Sequence, residues 1–106
     1  MNTKAKGSRR ERQYRKFCEA DGWMVVRPGA SLGPADLVLM RRSELTNGTA
    51  VVLSQVKANS GSPWMNFRKD ERRELVAAAE AINAEAELVH WPPNGAMRIY
   101  LPPEWP

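Results

Sequence analysis

The fold is decided by a hairpin-like stretch at residues 33–57, which reads GPADLVLMRRSELTNGTAVVLSQVK. Two apolar runs within it, at residues 37–40 and 50–53, have the composition of buried strands. Asn47-Gly48 lies between the runs and favours a tight turn, because both residues tolerate positive φ. The pattern predicts a strand at residues 35–40 that pairs antiparallel with a second strand at about residues 50–57.

Polar residues interrupt these two strands at one end of the hairpin. With the turn placed midway, residues whose numbers add up to about 95 lie opposite each other, so Asp36 faces the neighbourhood of Lys57 and Asn59. Gln55 and Lys57 are two residues apart and therefore share one face of the sheet. Burying a charge costs several kcal/mol unless it is paired or bound to a metal. We interpret the convergence of an acid, an amide and a lysine as a candidate functional site.

A first helix is predicted ahead of this hairpin. Ser8 and Glu11 have the spacing of a capping box that begins a helix, and Asp21-Gly22 ends it. Three residues in between follow at the spacing of a core-facing stripe: Tyr14, Phe17 and Cys18. Residues 1–7 are expected to form a flexible basic arm ahead of a domain at residues 8–106.

The order of the remaining elements predicts the fold class. A strand at residues 23–27 is followed by a Gly/Pro loop at residues 28–34. Beyond the hairpin come a second helix at about residues 67–83 and strands at residues 86–91 and 97–101. The order αβββαββ predicts a single α/β domain in which a central mixed β-sheet is flanked by helices.

Composition excludes several classes of protein. A chain of 106 residues has room for one domain with a modest core. The single cysteine, Cys18, excludes an intramolecular disulfide, and the single histidine, His90, leaves no partner for a Cys/His zinc site. No apolar run is long enough to span a membrane, and no apolar segment follows the basic N-terminus. A cytoplasmic protein without a membrane partner is the expectation.

The positive charge of the chain is concentrated in two segments. The net charge is +4, and the excess lies on the first helix and at the start of the second, where Arg68, Lys69, Arg72 and Arg73 cluster. Such clusters give a salt-sensitive affinity for phosphate backbones. The alternative is a solvated surface, which many basic proteins have without binding nucleic acid.

The polar residues also form an ordered pattern along the chain. Glu11 comes first, then a loop with the sequence RPGASLGPAD at residues 27–36, and then Gln55-Val56-Lys57. This order resembles the PD-(D/E)XK nuclease motif in the arrangement of the archaeal and phage Holliday junction resolvases. The resemblance extends over residues 6–57 and more loosely over the second helix and the later strands.

The resemblance implies a role for each residue of the motif. Asp36 would bind a divalent cation, Mg²⁺ or Mn²⁺, together with the Val56 carbonyl and the side-chain oxygen of Gln55. Lys57 would position the attacking water and stabilise charge on the phosphate, and Glu11 would complete the site. Basic and hydroxyl side chains would contact DNA: Arg9, Arg10, Arg12, Arg27, Ser31, Arg68, Lys69 and Arg72.

Each of these residues also has a structural interpretation. Glu11 could serve only as a helix cap, Asp36 as a brace for the Gly33-Pro34 turn, Gln55 as a core amide, Lys57 as an ordinary strand-end residue and Ser31 as a turn residue. Gln55 moreover departs from the family, in which a glutamate is usual at this position. The glutamine removes one negative charge, and it occurs in nuclease branches related to Mrr-type restriction enzymes.

Four functions compete at this point. The first is a metal-dependent, structure-selective endonuclease that acts on four-way DNA junctions as a homodimer, because one small domain has one active site and a junction needs two cuts. The second keeps the active site and changes the substrate to flaps, splayed arms or modified duplex. The third is a catalytically silent DNA-binding module, suggested by Gln55, and the fourth is a generic basic RNA-binding protein.

Overall fold

One sheet with a helix on each face forms the protein. The computed structural model describes residues 3–29 and 33–106, with only the backbone at residues 3–7, and this part holds two α-helices and five strands. The elements are α1 (Thr3–Ala20), β1 (Met24–Val26), β2 (Leu37–Arg42), β3 (Thr49–Lys57), α2 (Lys69–Ala81), β4 (Glu85–His90) and β5 (Arg98–Tyr100), followed by a short 3-10 helix (Pro102–Glu104).

The strands lie side by side in chain order, β1-β2-β3-β4-β5. β1, β2 and β3 form an antiparallel meander, and β5 is antiparallel to β4. β3 and β4 are parallel, because α2 carries the chain back across the sheet before β4 begins. The predicted α/β class and mixed sheet are therefore confirmed. None of the helices in the described ranges is long and apolar enough to cross a membrane.

Each face of the sheet has its own apolar core. The α1 face buries Tyr14, Cys18, Val25, Leu37, Leu39, Val56 and Val89. The α2 face buries Leu53, Phe67, Leu75, Ala79, Ala86 and Leu88. α2 packs mainly against β3 and β4, so the same face of β1 and β2 stays open and Met24 and Val26 are exposed there.

Helix α1 differs from its prediction at both its start and its inner face. It begins at Thr3, so the predicted start at Ser8 is wrong. The division into an arm at residues 1–7 and a domain at residues 8–106 stays a prediction. Lysine and alanine ahead of Ser8 are good helix formers, which extends the helix past the apparent capping box. Of the predicted stripe, Tyr14 and Cys18 are buried, whereas Phe17 is 53% exposed and stacks against Tyr14 at the edge of the stripe.

The hairpin is confirmed, but its register is shifted from the prediction. Leu37 pairs with Ser54 and Arg42 with Thr49, which places the loop at residues 43–48 instead of a tight turn at Asn47-Gly48. The Ser43 hydroxyl accepts hydrogen bonds from two backbone N–H groups of this loop and stabilises the longer connection. As a consequence Asp36 lies beside Gln55 and Val56, and not opposite Asn59.

Candidate active site

The beginning of β2 and the end of β3 hold the Asp36 carboxylate in place. The Asp36 backbone N–H donates to the Ser54 carbonyl at 2.8 Å, which extends the β2–β3 ladder by one residue. Its carboxylate Oδ2 in turn accepts a hydrogen bond from the Val56 N–H, also at 2.8 Å. Gly33 precedes this point with a φ of 116°, a conformation that favours glycine and turns the chain into the strand. Asp36 is thus fixed by backbone groups on both strands.

Glu11 and Gln55 face the same cavity as Asp36. This cavity has a volume of about 510 Å³ and is lined by Glu11, Arg27, Pro28, Gly29, Gly33, Pro34, Ala35, Asp36 and Gln55. The Gln55 side-chain amide donates through Nε2 to the Pro34 carbonyl, so Oε1 is the atom that it can offer to a cation. Because Ser8 lies inside α1, Glu11 does not cap the helix, and its carboxylate instead projects to the end of the sheet.

The electrostatics of the cavity disfavour two adjacent anions. Burial raises the pKa of the Asp36 carboxyl above its ordinary value, against the opposing effects of the Val56 N–H, Lys57 and Arg27. Burial also raises the pKa of Glu11, and the nearby Asp36 carboxylate raises it further, while Arg27 lowers it. Arg27 reaches Glu11 at 3.5 Å from a largely exposed position. Two partly desolvated carboxylates in one cavity are an arrangement that a bound cation relieves.

The donor set agrees with a hard divalent cation. Carboxylates of Asp36 and Glu11, the amide oxygen of Gln55 and the Val56 carbonyl are all oxygen donors, which suit Mg²⁺ or Mn²⁺. Within residues 8–29 and 33–106 no three acidic, histidine or cysteine side chains come close enough to hold a metal by themselves. A cation here would therefore depend on neutral oxygens as well as on the two carboxylates.

Lys57 is held beside the cavity by a residue that the sequence did not indicate. Its Nζ lies 3.9 Å from Glu71 Oε2, in the first turn of α2. Glu71 also raises the pKa of Asp36, which shows that its charge acts on the same centre. In the sequence, Asp70 and Glu71 look like ordinary helix-starting acids. Only the packing of α2 over the end of β3 shows that Glu71, and not Asp70, contacts Lys57.

Two of the predicted DNA-binding arginines are engaged in contacts within the protein. Arg10 donates to the Pro92 and Pro93 carbonyls at 2.7 and 3.2 Å and stacks over Trp91. Arg72 donates to the Phe67 carbonyl at 2.6 Å and to the Pro106 carbonyl at 3.3 Å. These contacts attach α1 and α2 to the C-terminal part of the chain, and DNA binding by Arg10 and Arg72 stays a prediction.

Five of the other six predicted DNA-binding residues are exposed. Arg9 and Arg12 are exposed on α1, Arg27 on the rim of the cavity, and Arg68 and Lys69 at the start of α2. Arg12 is close enough to Glu11 to lower its pKa, which places one of these cations next to the cavity. Ser31 lies outside the described residues.

The fold and the cavity together define the class of protein. A mixed sheet whose β2–β3 hairpin carries Asp36 and Gln55-Val56-Lys57, with a glutamate from the first helix, is the arrangement of the PD-(D/E)XK nucleases. The sequence profile of the archaeal Holliday junction resolvase (Hjc) family matches residues 2–104. The chain belongs to this family and is a Holliday junction resolvase, a structure-selective DNA endonuclease.

A solved structure supports the assignment. The 1.6 Å structure of Hjc from Archaeoglobus fulgidus, a Holliday junction resolvase from an archaeal hyperthermophile, superimposes with a TM-score of 0.72. The two chains are 27% identical over 91% of this chain and 72% of that one. Among proteins of curated function, none matches this chain.

Proposed function

We propose that the chain cleaves four-way DNA junctions in a reaction that requires Mg²⁺ or Mn²⁺ bound at Asp36. The observation that carries the proposal is the Asp36–Glu11 pair. Both carboxyl pKa values are raised, both side chains line one cavity, and Lys57 is near enough to Asp36 to oppose the rise in its pKa. Glu11, the Gln55 amide oxygen and the Val56 carbonyl complete the donor set. When bound, the cation lowers the pKa of a water molecule and polarises the scissile phosphate.

The protein's own groups act on the phosphate around this centre. Hydrolysis forms a bond from the water oxygen to phosphorus and breaks the bond to the leaving sugar oxygen. The Lys57 ammonium donates hydrogen bonds to phosphate oxygens as their negative charge grows, and this stabilisation is large in a partly desolvated site. Arg27 lies on the rim of the cavity, where a DNA backbone would pass, and Arg12 neighbours Glu11. These cations, with Arg9, Arg68 and Lys69, give the binding its salt dependence.

The active form is proposed to be a homodimer. A four-way junction has two strands to cut, and each chain carries one Asp36 centre. The open side of β1 and β2 supplies an apolar surface for a second copy. Val25 is buried on the α1 side, so Met24 and Val26, 65% and 43% exposed, project from the opposite face. They lie beside Met40 and Val38, their partners on β2, which extends the apolar patch onto the second strand.

The test is cleavage of a labelled four-way junction beside a flap and a plain duplex of the same sequence. Each substrate is incubated with Mg²⁺, Mn²⁺ or EDTA, using the wild type and the Asp36→Asn and Lys57→Ala variants. Asn keeps an oxygen for the Val56 N–H, so Asp36→Asn should bind the junction at least as tightly as the wild type and lose cleavage. Lys57→Ala should lower the rate by about 10²–10³-fold, the range for removing a group that stabilises developing charge.

The outcomes separate the competing functions. Paired cuts near the junction centre, lost in EDTA and in Asp36→Asn, support the proposal. Cleavage of the flap in preference to the junction keeps the centre and changes the substrate. Tight junction binding without cleavage under either cation contradicts the enzymatic proposal and favours a silent DNA-binding module. The dimer is tested by measuring the molecular mass of the wild type and of Val26→Asp by analytical ultracentrifugation. The aspartate would place a charge in the proposed interface, so this variant should sediment as a monomer.

A further inference from the structure

Glu71 connects the second helix to the active site. Its two carboxylate oxygens have different neighbours: Oε1 lies 3.5 Å from Arg68 Nε and Oε2 lies 3.9 Å from Lys57 Nζ. The Arg68 side is exposed, whereas the Lys57 side chain is only 21% exposed. The pairing with Lys57 is therefore the better shielded of the two.

Lys57 has few other anchors for its charge. The residue two positions earlier on the same face of β3 is the neutral Gln55, whose amide is bound to the Pro34 carbonyl. The charge of Lys57 lowers the pKa of Asp36. The Asp36 carboxylate, however, already accepts a hydrogen bond from the Val56 N–H. The ammonium thus has two acidic neighbours: it forms an ion pair with Glu71 and acts on Asp36 through its charge. Without Glu71, it would be drawn toward Asp36 and the cation site.

We propose that Glu71 is a positioning residue that holds the Lys57 ammonium in the place from which it reaches the scissile phosphate. The inference rests on the proposed role of Lys57. Glu71 comes from α2, outside the β2–β3 hairpin that carries Asp36, Gln55 and Lys57. Its contact with the proposed site is the ion pair with Lys57, and its charge also raises the pKa of Asp36. Its place in the capping box of α2, where it accepts from the Arg68 N–H at 3.5 Å, is a second and separate role.

Glu71→Gln separates the two roles. Glutamine occurs in capping boxes as glutamate does, so the helix start is retained while the charge facing Lys57 is removed. The matched control is Asp70→Asn, which removes the same charge from the same helix turn. Asp70 pairs with Arg68 at 3.6 Å from a position that is 64% exposed.

The measurement is single-turnover cleavage of the junction as a function of protein concentration. We expect Glu71→Gln to lower the maximal rate constant by about 10-fold, as is usual for residues that orient a reacting group. The protein concentration at half-maximal rate should not rise, because no DNA contact is lost. Asp70→Asn should stay within about twofold of the wild type, since exposed ion pairs contribute little.

Coupling to Lys57 provides the decisive readout. In a Lys57→Ala background, Glu71→Gln should cause no further loss, because a residue that acts through another has no effect once that other is gone. A purely structural role would give the same loss in both backgrounds. Equal rates for Glu71→Gln and Asp70→Asn, or a loss that persists in the Lys57→Ala background, would overturn the inference. Full activity of Lys57→Ala alone would instead overturn the proposed role of Lys57, so the two failures are distinguishable.

Discussion

A buried hydrogen-bond network should make Tyr14 a principal contributor to stability. The Tyr14 hydroxyl donates to Glu87 Oε2 at 2.5 Å, and the Ser54 hydroxyl donates to the same oxygen at 2.6 Å. Glu87 is 7% exposed, so these two hydroxyls replace much of the water that an exposed carboxylate would have. Burial and the adjacent Glu87 raise the pKa of Tyr14, which keeps the phenol protonated and able to donate.

Tyr14→Phe removes one of the two donors and leaves the ring in place. The loss is that of a hydrogen bond to a charged group, about 1.5–3 kcal/mol, with no cavity term because the aromatic ring still fills the core. For a domain of this size about 4–8 °C accompanies each kcal/mol, so Tm should fall by at least about 6 °C. Urea unfolding, followed by circular dichroism, gives the free energy directly.

Two further variants decide whether the network is responsible. Tyr100→Phe is the control: its edge-on contact with Trp64 and the Arg98 guanidinium over its ring are kept by phenylalanine, so stability should change little. Adding Ser54→Ala to Tyr14→Phe should cost more than the sum of the single changes, because the carboxylate then loses both donors. A stability change for Tyr14→Phe no larger than that for Tyr100→Phe would refute the reasoning.

Three other predictions concern the residues of the candidate active site. The raised pKa of Asp36 means that its contribution to stability is complete below the ordinary carboxyl pKa of 3.8 and is lost as the pH rises through the raised value. In EDTA, Asp36→Asn should therefore unfold at higher urea than the wild type at neutral pH, and the difference should shrink on acidification; equal midpoints at neutral pH would contradict this. With Mg²⁺ present, cleavage should decline on acidification, because protons compete with the cation for Asp36 and Glu11. Gln55→Glu adds a carboxylate to the same donor set and should lower the Mg²⁺ concentration for half-maximal cleavage by about 10-fold; an unchanged Mg²⁺ titration would place Gln55 outside the coordination sphere.

The β2–β3 hairpin that carries the candidate site could be predicted because its signal is local. Asp36, Gln55 and Lys57 interrupt sequences that are otherwise apolar. Gln55 and Lys57 are two residues apart on one strand, so they share a face of the sheet however the rest of the chain folds. The exact pairing could not be predicted, because it depends on the loop. Ser43 stabilises a six-residue connection, and the pairing moves Asp36 next to Val56. Turn chemistry therefore decided which neighbours the carboxylate has.

The contacts that Arg10, Arg72 and Glu71 make could not be predicted from local pattern. Arg10 and Arg72 contribute positive charge to the sequence, yet the structure directs both guanidinium groups to backbone carbonyls. Where a long side chain points depends on which acceptors the tertiary fold brings within reach, and those acceptors are distant in the sequence. Glu71 reaches Lys57 for the same reason, through the crossover that places α2 beside the end of β3.

The charge around Asp36 explains why the centre should need both a cation and DNA. Three carboxylates lie near this centre: Asp36, Glu11 and Glu71. Arg27 forms an ion pair with Glu11, and Lys57 forms one with Glu71. With a neutral Gln55, the proposed donor set for a cation holds two carboxylates, one of which is already paired with Arg27. Such a set binds Mg²⁺ weakly by itself, because affinity for hard cations rises with the number of charged ligands. A scissile phosphate adds the missing negative oxygen, so cation and DNA should each bind more tightly in the presence of the other. If Gln55 has its proposed role, we expect the junction itself to complete the site, and strong binding of Mg²⁺ without DNA would argue against this view.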